Sequence, residues 1–252
     1  MPVRAPVELV IPDVPWYEIR SRLQRLWVVR QNPHHSIIGQ VGSGKSYLMR
    51  HGILDVCRYD RVLFIDTKGD DPTLRGLGKV VNSYPGKLWR AARRIGDDNE
   101  DMANWFRLVT SVKWDRARDQ VQEALTKVME EGNVIVVIDE LRAITDVRAP
   151  GLNLSPEWEA LVLRGRSRGV GVVNGTQEPR WVRGSFYTQS AFYWISRVED
   201  EAAQKRIAEI GSSRGLMLHL PMVKKRRWIY TDNLEDDRYW AYTQVPAVSG
   251  SR

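Results

Sequence analysis

Ile37-Ile38-Gly39-Gln40-Val41-Gly42-Ser43-Gly44-Lys45-Ser46-Tyr47 decides the fold. Residues 39–46 match G-x-x-x-x-G-K-[ST] in full, and the apolar pair before them reads as the end of a strand. A helix is expected to open behind the loop and run to about Tyr59. Strand, glycine-rich loop and helix in that order make a phosphate cradle. The glycines allow a turn that points successive N–H groups inward, and the helix adds its positive end. Gly39, Gln40, Val41, Gly42, Ser43, Gly44, Lys45, Ser46 and Tyr47 are therefore the expected nucleotide contacts. Lys45 is expected on the β- and γ-phosphates and Ser46 on Mg²⁺. The expected ligand is a nucleoside triphosphate.

At 252 residues the chain can hold one large α/β domain, whereas a second core would be cramped. Its 42% hydrophobic and 27% charged residues are a globular composition. No apolar run approaches the ~18–20 residues that span a bilayer, and no signal-peptide core follows Met1. Cys57 is the only cysteine. No membrane contact, no intrachain disulfide and a cytoplasmic location are the expectations. A net charge of +7 favours a polyanionic partner, but an ordinary solvated basic face carries the same charge. Most of the ten tryptophans are expected in the core or at subunit contacts.

Residues 1–35 read as a leader packed on the domain that follows. Trp16, Ile19, Leu23 and Leu26 recur in it at helical spacing. Beyond it, strands are expected at 62–65, 134–138, 170–173 and 191–195, and helices at 119–131, 155–164 and 199–210. Ser155 is the expected cap of its helix, with Pro156 in the first turn. Residues 67–118 read as irregular, and 216–220 with 227–231 as a terminal antiparallel pair around Pro221. The alternation implies an α/β fold, a mainly parallel, doubly wound sheet with helices on both faces. Its nucleotide-binding domain is placed at 36–231 and a tail at 232–252.

Val134-Ile135-Val136-Val137-Ile138-Asp139-Glu140 is an apolar strand that ends in two acids. Buried strands of this kind deliver an acid to the phosphate site, where Asp139 would hold Mg²⁺ with Ser46. Glu140 is placed to orient or deprotonate an attacking water. A switch GTPase is the first competitor, because Thr67-Lys68-Gly69-Asp70 mimics a guanine-reading [NT]-K-x-D pattern. That element lies before the acidic strand here, too early for such a protein. A small-molecule kinase is the second, but a water-activating glutamate beside the metal ligand would waste ATP. The acidic pair favours ATP hydrolysis coupled to work. Arg164-Gly165-Arg166-Ser167-Arg168-Gly169, a strand, and Asn174-Gly175-Thr176-Gln177-Glu178-Pro179 follow. Gln177 is either a γ-phosphate sensor or a turn residue, and the arginines either reach a neighbouring subunit or end a helix in solvent.

These motifs in this order resemble the HerA/FtsK superfamily of ring-forming DNA translocases and packaging ATPases. The resemblance spans about residues 36–231 and includes the second-strand signature Ile65-Asp66-Thr67-Lys68-Gly69-Asp70 and the late segment 215–221. It implies a RecA-like (ASCE) core and a homo-oligomeric ring, pentamer or hexamer, with nucleotide at the subunit junctions. Arg166, three positions before Gly169, matches the family's trans-acting arginine finger, with Arg168 in reserve, and Gln177 matches the polar sensor. ATP, Mg²⁺ and double-stranded DNA are the implied ligands. The chain departs from the family's Thr-Gln-Arg-Pro by carrying Glu178 before Pro179. Its length suits a minimal motor. Viral genome packaging is the first expectation, in the host cytoplasm and against a portal or procapsid. Plasmid or conjugative transfer, and a non-motor ATP-gated scaffold, are the alternatives.

DNA contacts of such a motor grip phosphates without reading bases. Lys87, Arg90, Arg93, Arg94, Arg107, Lys113, Arg116 and Arg118 are candidates, as is the cluster Lys224-Lys225-Arg226-Arg227. Residues 68–79 and 89–94 are the preferred channel loops. A solvated or intersubunit salt-bridge face is the other reading of each. The four histidines have no zinc-ligand spacing.

Overall fold

Strands covered on both faces have no solvated side, so they read as continuous apolar runs. Five strands buried along their length form the middle of the molecule, with polar residues only in β1, at the end of β2 and in β6: β1 (His35–Ile38), β2 (Val62–Asp66), β5 (Ile135–Ile138), β6 (Gly171–Thr176) and β7 (Phe192–Ile195). The computed structural model describes residues 9–30, 33–57, 61–68, 74, 76–89, 104–147, 151–235 and 238–247. With β3 (Lys79–Val81), β4 (Trp105–Val109), β8 (Trp228–Asp232) and β9 (Tyr239–Thr243), the described residues make a nine-stranded sheet in the order β3-β4-β2-β5-β6-β1-β7-β8-β9. Pairing is parallel from β3 to β7 and antiparallel at β7–β8 and β8–β9.

Alternate strand residues supply two separate cores. Leu63, Ile65, Val136, Ile138 and Val172 face α3 (Trp114–Glu131), α5 (Ser155–Arg164) and α7 (Glu201–Ile210) through Leu125, Trp158 and Ile207. Val62, Phe64, Ile135, Val137 and Val173 face α1 (Trp16–Arg30), through Ile19 and Leu23, and the segment behind the phosphate loop. The mainly parallel α/β sheet with helices on both faces is as expected. Among the described residues no helix is long and apolar enough to cross a membrane.

A polar pin runs through the sheet centre. Asn174 of β6 donates to the His35 carbonyl of β1 (3.0 Å) and accepts from Ser36 (3.4 Å), which bonds Ser190 in turn (2.7 Å). His35 is fully buried, and burial keeps it neutral by holding its pKa well below the usual histidine value. Its Nδ1 accepts from the Trp194 indole at 3.2 Å. Trp194 also packs on Tyr230, ring centroids 4.6 Å apart. Trp194→Ala should therefore cost about 3–5 kcal/mol, the usual penalty for an aromatic-sized cavity. A urea titration checks this, and a loss below about 1 kcal/mol would show that the site collapses without cost.

The structure corrects several expectations. Residues 216–220 are helical, not a strand: α8 (Leu216–His219) passes into a tight turn at Leu220–Met222. Leu216 and Leu220 are buried one helical turn apart while Leu218 is 72% exposed, and Pro221 cannot donate to a ladder. The antiparallel partner of β8 comes instead from 239–243, within the segment expected as a tail. The leader reaches the same edge, where Asp13 bridges Tyr242. Residues 67–118 are not wholly irregular, since they hold β3, β4 and the start of α3. The helix behind the loop is short: α2 (Lys45–Leu48) widens into a π turn at Met49–Ile53 and tightens at Leu54–Cys57. Ser155 makes no cap bond and gives its hydroxyl to the Thr145 carbonyl at 2.7 Å.

Candidate active site

The phosphate loop leaves β1 at the carboxyl edge of the sheet. Register brings its partners level: Ile38 pairs with Thr176, and Ile138 with Asn174, so Gln177 and Asp139 emerge beside it. Gly42 (φ 73°) and Gly44 (φ 93°) lie in the left-handed region, which only glycine adopts at no steric cost. Lys45 is 6% exposed and folds back to donate to the carbonyls of Gly39 (2.9 Å) and Gln40 (3.3 Å). Burial lowers its pKa, against the pull of Asp139 and Glu140. The Ser43 hydroxyl is buried in the loop with no partner among the described residues.

Ser46 donates to Asp139 Oδ1 at 3.2 Å, while the Lys68 ammonium holds Oδ2 at 3.0 Å. That carboxylate is already a seat for positive charge. Hydroxyl plus carboxylate is an oxygen set that suits a hard divalent cation such as Mg²⁺. Glu140 is set one step back. It accepts from Thr176 Oγ1 (3.2 Å), from the backbone of Gln177 (3.2 Å) and from that of Arg142 (3.4 Å). Burial raises its pKa above the ordinary carboxylate value, although Lys45 and these donors oppose the rise.

A cavity of about 630 Å³ opens over the loop, lined by Val41, Gly42, Ser43, Gly44, Lys45, Ser46, Tyr47, Asp139 and Gln177, all expected contacts. Gln177 brings a side-chain amide that has no partner among the described residues. Six liners were not anticipated as nucleotide contacts: Lys68, Arg226, Trp228, and Gln244, Val245 and Ala247 of the last described segment. Tyr47 anchors that segment by donating to the Pro246 carbonyl at 2.7 Å.

Arg166 is not in this cavity. It sits exposed on the tight turn Gly165–Arg168 at the opposite end of β6. The six residues of β6 span about 20 Å, more than an arginine side chain reaches. Within one chain it cannot touch the loop's ligand. Glu178 pairs with Arg142 of α4 (Leu141–Thr145), whose guanidinium also bonds Asp146 at 2.8 Å. The acid before Pro179 is thus matched by an arginine on the adjoining helix.

Of the DNA candidates, Arg107 is 11% exposed and lies 3.7 Å from Asp66 within the sheet, so it faces no channel. Trp89 is core, edge-on to Phe106 at 4.8 Å. Lys87, Lys113, Arg116 and Arg118 are exposed. Residues 90–94, 69–73 and 75 lie outside the described residues, which leaves only Trp89 of one preferred loop and half of the other.

No protein-family model matches the chain. Protein P9 of Pseudoalteromonas phage PM2 is 24% identical over 195 residues, which is 75% of this chain and 80% of P9. The genome-packaging NTPase of Sulfolobus turreted icosahedral virus 2, solved with ATPγS, superposes with a TM-score of 0.58 at 13% identity, covering 86% of this chain and 99% of that one. The bacterial conjugative coupling protein TrwB gives 0.59 at 11% identity, covering 90% and 92%. The cytoplasmic domain of the type VII secretion ATPase EccC of Thermomonospora curvata gives 0.57 at 15%, covering 87% of this chain and 26% of that one. The chain shares the RecA-like P-loop fold of these proteins.

Proposed function

We propose that the chain is the ATP-hydrolysing subunit of a ring-forming motor that moves double-stranded DNA, with packaging of a viral genome as its task. The observation that carries the reading is the convergence of Lys45, Ser46, Asp139 and Gln177 on one cavity, with Glu140 bonded to the Gln177 backbone behind it, while Arg166 stands at the far end of β6. Arg166 cannot reach its own chain's site, and it would complete that of a neighbouring copy. The likeness to a viral packaging NTPase and to a phage protein favours packaging; the likeness to a coupling protein keeps conjugative transfer as the second reading. Residues 36–231 would form the motor, with α1 and β9 completing its core, in a pentameric or hexameric ring docked on a portal or procapsid.

In this mechanism Lys45 leaves its carbonyl partners to grip the β- and γ-phosphates. Ser46 and Asp139 would hold Mg²⁺, whose chemistry there would be to neutralise phosphate charge. Glu140 takes a proton from water as the water oxygen attacks the γ-phosphorus. The bond to the β–γ bridging oxygen breaks, and ADP leaves with that electron pair. Gln177 donates its side-chain amide to the γ-phosphate at the end of β6, and that bond is lost once the phosphate leaves.

Steady-state ATPase assays with duplexes of increasing length test the motor. Turnover should rise several-fold with DNA, and the gain should fade between about 50 and 200 mM salt, as phosphate-borne binding does. A rate indifferent to DNA length and salt would instead make the chain an ATP-gated scaffold.

A further inference from the structure

The basic run Lys224-Lys225-Arg226-Arg227 does not act as one patch. Its own turn, closed by Arg227 N–H to the Lys224 carbonyl at 3.0 Å, splits it. Arg227 pairs with Asp13 and lies 5.2 Å above the Tyr242 ring. Lys224 and Lys225 border a separate hollow beside Asp13 and Pro15. Arg226 alone turns to the phosphate loop. Its φ of 62° is left-handed, a conformation unfavourable for arginine and common where backbone strain serves a site. It lines the nucleotide cavity, and its Cγ lies 3.8 Å from where a Cβ on Gly44 would stand. Among the described residues its guanidinium has no ion-pair or hydrogen-bond partner.

Topology explains the placement. Ile38, Ile195 and Ile229 are level across β1, β7 and β8. Because β8 runs antiparallel, the turn before it rises at the same sheet edge as the loop. Asp139, Glu140 and Gln177 approach the loop from the β5–β6 side, and Arg226 approaches from the β7–β8 side. The γ-phosphate chemistry is confined to the first side, so a cation on the second faces the rest of the triphosphate. We propose that Arg226 binds the α- and β-phosphates of the nucleotide held by its own chain's loop. It is a substrate-binding cation in cis, complementary to the arginine that a neighbour supplies. The inference rests on the nucleotide reading of the loop.

Arg226→Gly is the informative variant, because glycine tolerates the left-handed backbone while the guanidinium is lost. Calorimetric titration should give Kd values for ADP and for ATP both raised about tenfold and by the same factor, as expected for one lost charge-assisted contact at a partly exposed site. The melting temperature without nucleotide should hold or rise. Lys224→Ala with Lys225→Ala should bind both nucleotides as the parent does. Unchanged ADP and ATP affinities in Arg226→Gly would overturn the proposal, as would weakening confined to ATP, which would move the contact to the γ-phosphate. A fall in the nucleotide-free melting temperature would make Arg226 structural and overturn it too. A parent chain that binds neither nucleotide would sink the loop reading first, a failure distinct from any of these.

Discussion

Arg166→Ala is expected to lower ATP turnover by about 10³–10⁵-fold while leaving ATP affinity near that of the parent, the range that separates sites with and without an arginine finger. The split follows from position. Arg166 is exposed at the end of β6 away from its own loop, so its loss removes nothing from the cis pocket. Mixing decides between a trans role and a folding defect. Subunits carrying Arg166→Ala keep Glu140, and subunits carrying Glu140→Gln keep Arg166. A junction that pairs the two in the right order has a complete site, so mixed rings should regain part of the activity that neither variant has alone. Assembled mixed rings that stay inactive would remove Arg166 from the role and send the search to Arg168.

Glu140→Gln should lower turnover by roughly 10²–10⁴-fold, the usual worth of a positioned general base. Ligands should still bind, because Lys45 and the loop grip the phosphates, Ser46 and Asp139 would still hold Mg²⁺, and glutamine fills the same space. Single-turnover hydrolysis with trapped nucleotide checks both halves, and turnover within a few-fold of the parent would rule out Glu140 as the base. Burial raises the Glu140 pKa, so the carboxylate takes its proton at a higher pH than an ordinary glutamate. The acid limb of the parent's rate profile should accordingly lie above the ordinary glutamate range, activity being lost as pH falls through it.

The site was legible in sequence where its parts are contiguous. Residues 39–46 and 134–140 each carry their local structure with them, so strand, loop and acids could be placed without knowing the sheet order. Lys68 and Thr176 were not legible as partners of Asp139 and Glu140, because each contact crosses from one strand end to another. Arg226 was hidden for the same reason, inside a run whose four cations looked equivalent until a turn separated them. The 216–220 segment misled because a short apolar run fits strand or helix alike, and only burial one helical turn apart tells them apart. Tryptophan count was a fair guide to the interior: Trp158, Trp194 and Trp228 are among the largest fully buried side chains.

The Asn174 pin gives β6 a further property. It ties the strand to β1 in the dry middle of the sheet, between the turn that bears Arg166 and the tip that bears Gln177. Neighbours on both sides are parallel strands locked in register. A stiff rod of this kind has no slack to absorb a displacement at one end. In the proposed ring, the loss of phosphate at one pocket would tilt the rod, and the same tilt would appear at the adjacent pocket. Timing around the ring would then be set by the stiffness of a single strand, as phase is carried along a crankshaft.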